Sequence, residues 1–60
     1  MSLMNDLRIA QELADQSNQY EWFCEFYTRA RTENGILESI EMSLKELDLW
    51  EKFQEAVCGE

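Results

Sequence analysis

No proline interrupts this chain, and its only glycines are Gly35 and Gly59. The two residues that most effectively break a helix are therefore nearly missing. Apolar residues recur at three- and four-residue spacing, β-branched residues are few, and nowhere do apolar and polar positions alternate over the length of a strand. The pattern predicts an all-α fold, a compact bundle of three to four short helices.

The helix limits follow from the apolar stripes and from the few remaining stop signals. A first helix is expected from Asn5 to Gln16, with Leu7, Ala10, Leu13 and Ala14 stacked on one side and Ile9 widening the stripe. The polar run Asp15-Gln16-Ser17-Asn18-Gln19 ends it. Asn18 followed by Glu21 has the form of a capping box and opens a second helix, 19–32. That helix is expected to stop at Asn34-Gly35, where glycine adopts the left-handed conformation that terminates helices. From Ile36 onward, Ile36, Leu37, Ile40, Leu44 and Leu47 share one sector of a helix. Leu49, Trp50, Phe53 and Val57 fall about 140° away at 100° per residue. A drift of about 20° per heptad cannot produce that offset. Asp48 with Glu51 also resembles a capping box, so the chain is expected to break at Leu47-Asp48, giving helices 36–47 and 49–57. No segment repeats another at a fixed period, and residues 1–60 form a single domain. Met1-Ser2-Leu3 ahead of a second methionine, Met4, has the form of a vector-derived leader.

A domain of sixty residues hides only about 60% of the surface its unfolded chain exposes, so the core must be thin. An apolar content of 45% with seven aromatic residues is still well above that of disordered chains. Thirteen acidic residues against five basic ones give a formal charge of −8. That field opposes direct binding to nucleic acid or to an anionic membrane and favours a protein partner with a basic surface. No stretch approaches the roughly 20 apolar residues of a membrane span. The two cysteines, Cys24 and Cys58, lack the spacing of a disulfide framework, which points to a cytoplasmic, reducing setting.

The sequence offers little to catalysis. Histidine, the side chain best matched to proton transfer near neutral pH, is absent. Cys24 lies among Trp22, Phe23, Phe26 and Tyr27 with no imidazole to activate it, and reads as a small apolar residue. Glu-x-x-His motifs, an EF-hand-type calcium loop and a glycine-rich phosphate loop are all missing from the sequence. The expectation is a non-enzyme with no metal and no cofactor.

Binding is better supported. Residues 33–60 hold eight acidic residues against Lys45 and Lys52, a net of −6, whereas residues 1–32 hold five against Arg8, Arg29 and Arg31, a net of −2. Carboxylates three or four residues apart on a helix stand about 5–6 Å from one another, near the scale of nucleic-acid phosphate spacing. Glu38, Glu41, Asp48, Glu51 and Glu55 are the expected acidic face. In the second helix, Tyr20, Phe23, Cys24, Tyr27 and Ala30 form one apolar ridge, and Trp22 with Phe26 forms another. Together they exceed the arc of about 100° that a peripheral helix needs. The helix is therefore either central and packed on two sides, the preferred reading, or it exposes Trp22 and Phe26 as anchors for a partner.

In size, acidity and helical content the chain resembles the small proteins with which phages inhibit host defence or transcription, including anti-CRISPR proteins and other nucleic-acid mimics. This likeness of composition implies an inhibitor or regulator that occupies a basic, nucleic-acid-binding surface of a protein partner. The alternative is an oligomerisation or adaptor module, including a homodimer, that uses the aromatic ridge of the second helix.

Overall fold

Each stretch of helical periodicity folds as a helix. The structure, a computed structural model, describes residues 3–59; Met1 and Ser2 of the leader-like segment, and Glu60 of the acidic half, lie outside the described residues. Among the described residues there are four helices and no strand: α1 (Leu3–Gln16), α2 (Tyr20–Arg31), α3 (Ile36–Glu46) and α4 (Trp50–Cys58). The limits fall within two residues of those read from the sequence, and the break after Leu47 is present. α1 and α3 each pack against all the other helices, with the most extensive contact between α2 and α3, whereas the backbones of α2 and α4 do not come close to one another. α2 and α4 thus flank the α1/α3 pair. The radius of gyration is 10.3 Å, matching the value of about 10 Å for a compact chain of this length.

The connections differ from the expected caps. Asn18 and Asp48 do not open helices with capping boxes; both have left-handed backbones, with φ of 60° and 59°. At the end of α1, the Gln19 N–H donates to the Ala14 carbonyl at 2.7 Å and the Asn18 N–H to the Asp15 carbonyl at 3.1 Å. After α3, Leu49 N–H donates to Leu44 at 2.8 Å and Asp48 N–H to Lys45 at 3.2 Å. This 6→1 and 5→2 pairing is a Schellman turn, which satisfies the last carbonyls of the preceding helix. Asn and Asp tolerate the left-handed region better than other non-glycine residues. Gln19 and Leu49 are the N-caps, with no side-chain cap bond, so Glu21 and Glu51 have no reciprocal role. The same chain path thus recurs thirty residues apart, with Tyr20 and Trp50, Glu21 and Glu51, and Phe23 and Phe53 at matching positions. The recurrence is too short and too substituted to appear as a sequence period.

Gly35 was expected to be left-handed and is not. Its backbone is extended (φ −73°, ψ 176°) and it forms the N-cap of α3. α2 instead ends through Asn34, whose backbone N–H and side-chain Nδ2 both donate to the Ala30 carbonyl, at 3.0 and 2.9 Å. The boundary therefore lies where expected, but a side-chain amide completes it.

The core consists of Ile9, Ala10, Ala14, Phe23, Ile40, Leu44, Leu49 and Phe53, with Leu7, Leu13, Tyr27, Ile36, Leu47 and Trp50 packed around it. Each large member contributes about 1.5–3 kcal/mol by leaving water. Two features depart from the sequence reading. Leu37, assigned to the apolar sector of α3, is 52% exposed, while Ser39 and Ser43 are almost fully buried. Their hydroxyls donate to the carbonyls one turn back, Gly35 and Ser39, both at 2.8 Å. A serine that satisfies its own hydroxyl in this way can occupy a core position. With Ala10 and Ala14 also buried, the two central helices carry small side chains inward, which lets their neighbours approach closely.

Candidate binding surface

The acidic residues singled out from the sequence are distributed over two helices and a turn. Glu38 is exposed in the first turn of α3, Asp48 is exposed in the left-handed turn, and Glu51 and Glu55 are exposed one turn apart on α4. Glu41 is half-buried and accepts an ion pair from Lys45 Nζ at 2.7 Å. Lys45 also stands 5.8 Å from the centre of the Trp50 ring. Lys45 therefore reaches both Glu41 on α3 and Trp50 at the start of α4. Among the described residues, Glu38, Asp48, Glu51 and Glu55 have no ion-pair partner, so their charge is open to solvent.

α2 is not packed on two sides. Phe23 turns inward at 1% exposure and stacks on Tyr27, with ring centres 5.7 Å apart. The second ridge faces outward: Trp22 is 57% exposed, Phe26 is half-buried, and their rings lie 6.0 Å apart. The structure thus brings the two aromatic anchors together. Glu51 and Glu55 are on α4, whose backbone does not come close to that of α2. Trp50, from the apolar sector of the last helix, is half-buried against the core and stacks on Phe53 at 5.4 Å.

Phe26 also lines an open groove of about 380 Å³ between α2 and α3, together with Ala30 and Met42. Arg29, Glu33 and Glu46 border it. Arg29 is paired with Glu25 at 3.0 Å on the surface of α2. Met42, Glu33 and Glu46 were not selected from the sequence. Met42 lies opposite the apolar stripe of α3, and an apolar residue so far off the stripe was the available signal. Its relation to Phe26 depends on how α2 and α3 meet, which no helical wheel contains.

The remaining reactive groups are sparse. Cys24 is half-buried and Cys58 exposed, and both are free thiols. The neighbouring Cys24 side chain raises the Tyr20 phenol above its ordinary value of 10. Among the described residues no group of His, Cys, Asp and Glu is placed to hold a metal ion, and no helix is long and apolar enough to cross a membrane. The fold defines the class, a compact four-helix all-α protein. No family model, no curated protein and no solved structure matches the chain.

Proposed function

We propose that the chain is a small acidic, non-enzymatic binding protein, an inhibitor or regulator that occupies a basic, nucleic-acid-binding surface of a protein partner. The observation that carries this reading is the set of solvent-facing carboxylates at Glu38, Asp48, Glu51 and Glu55, which have no ion-pair partner among the described residues. With Glu41, they belong to the half of the chain that carries −6 of the formal charge of −8. Such an array attracts Lys- and Arg-rich surfaces and competes there with phosphate backbones. The mechanism is steric and electrostatic occupation, as in nucleic-acid mimics and anti-CRISPR proteins of phages, and it needs neither cofactor nor metal. Partners captured at low salt and identified by mass are expected to be nucleic-acid-binding proteins that are released at high salt and whose nucleic acid the chain displaces. Retention that is indifferent both to salt and to the triple charge reversal E38K/E41K/E51K would refute the electrostatic reading.

The exposure of Trp22 beside Phe26 favours a second reading, an oligomerisation or adaptor module acting through α2. Sedimentation at micromolar concentration separates the two. A dimer abolished by Trp22→Ala supports the module, and a monomer leaves the acidic binder.

A further inference from the structure

In the α2–α3 groove, exposed apolar surface and unpaired charge meet along the line where two helices pack. Phe26, Ala30 and Met42 supply the apolar lining, with Met42 49% exposed, and the Trp22 ring extends the strip one turn along α2. Two helices in contact leave a trough along their line of contact, and the element that fills such a trough is a third helix presenting apolar residues at i, i+3 and i+4. The charges at the border select its composition. The guanidinium of Arg29 is held by Glu25 at 3.0 Å, whereas Glu33 and Glu46 have no ion-pair partner among the described residues. The uncompensated charge beside the apolar strip is thus negative on both helices. A second copy of the chain brings a formal charge of −8 and more carboxylates to that border, so self-docking is opposed.

We propose that this groove receives a basic amphipathic helix of a protein partner, with its apolar arc against Phe26, Ala30 and Met42 and its Lys or Arg residues toward Glu33 and Glu46. The inference rests on the proposed binding to a basic protein surface and names where the partner docks and in what form. It shifts the main contact from the acids of α4 to the α2–α3 face.

The test uses synthetic peptides and the intact chain labelled at the methionine methyls. A leucine–lysine amphipathic peptide, a scrambled version of it without helical amphipathicity, and a leucine–glutamate counterpart are titrated while affinity and the Met42 methyl resonance are followed. The leucine–lysine peptide is expected to bind and move the Met42 methyl, and the other two are expected to bind far more weakly. The double variant E33Q/E46Q should weaken binding about three- to tenfold, as the removal of two partly exposed charge contacts does. Met42→Ser, at an exposed position, should weaken it with the fold intact, whereas Glu12→Gln, on the surface of α1 and outside the groove lining, should change it less than twofold, about what a distant screened charge contributes. If E51Q/E55Q weakens binding and the Met42 methyl stays still, the groove is wrong and the acidic-binder proposal stands. If no basic peptide binds on any face, both fail. Equal binding by the scrambled peptide, or a Met42-dependent dimer in sedimentation, also overturns the groove assignment.

Discussion

Replacing Asp48 by glycine and by alanine isolates the backbone strain in the turn between α3 and α4. Asp48 sits at φ 59°, a region that costs an L-residue about 1–2 kcal/mol and costs glycine almost nothing. Glycine returns part of that advantage through the greater freedom of its unfolded chain, about 0.4–1 kcal/mol. The difference leaves the Asp48→Gly protein more stable than Asp48→Ala by about 0.5–1 kcal/mol, or about 2–8 °C in Tm for a domain of this size. Both substitutions remove the same carboxylate, so the loss of charge cancels between them. Asn18, at φ 60° in the matching turn, should give the same order. Gly35 should behave in the opposite sense. Its backbone is extended at an N-cap, and a Cβ there meets nothing within 4 Å. Gly35→Ser is therefore expected to stabilise by about 0.5–1 kcal/mol, through a side-chain cap and a less free unfolded chain. Urea titrations followed by far-UV circular dichroism measure all five variants. Alanine equal to or better than glycine at both Asn18 and Asp48, with unchanged m-values, would refute the assignment of strain to these turns.

Three further outcomes follow from the packing. Phe23→Ala, at a side chain 1% exposed, should cost about 3–5 kcal/mol, enough to unfold most molecules of so small a domain, whereas Trp22→Ala should stay within about 0.5 kcal/mol of the parent; denaturant titration compares them. Acrylamide should quench the Trp50→Phe protein, which retains exposed Trp22, more strongly than the Trp22→Phe protein, which retains half-buried Trp50, and the reverse order would contradict the placement of α2. The Tyr20 phenol is raised above 10 chiefly by the neighbouring Cys24 side chain. The folded state therefore keeps this proton where the unfolded state loses it, and the resulting stability, present at neutral pH, disappears as pH climbs through the raised value. Ultraviolet titration of the Tyr27→Phe protein should show this ionisation moving back down on Cys24→Ala, and no movement would remove Cys24 as the cause.

Much of this architecture was legible in the chain because helix formation depends on local spacing. The missing proline, the three- and four-residue apolar rhythm and the 140° phase jump at Leu47-Asp48 located four helices and their breaks. The turns were misread because Asn and Asp serve two incompatible purposes, an N-cap side chain and a left-handed backbone, and Asn18 and Asp48 carry the same letters in either case. Which applies depends on the angle at which the next helix must leave. Leu37 and Ser39 were exchanged for a similar reason: a hydrophobicity pattern assigns serine to solvent, yet a hydroxyl bonded to its own helix can be buried where a neighbouring helix needs a small residue.

The sequence alone set the formal charge of −8, its concentration from Glu33 onward and the absence of histidine. The relation of those charges to the aromatic ridge was decided by tertiary structure. The flanking positions of α2 and α4 on either side of the α1/α3 pair separate Trp22 and Phe26 from Glu51 and Glu55. Contact between α2 and α3 brings Phe26 to Met42, Glu33 and Glu46 instead. Helical periodicity fixes which side chains share a face of one helix, because that depends on 100° per residue and nothing else. Which faces of different helices form one surface depends on the crossings that bury the core, and those are set by side chains far apart in the chain.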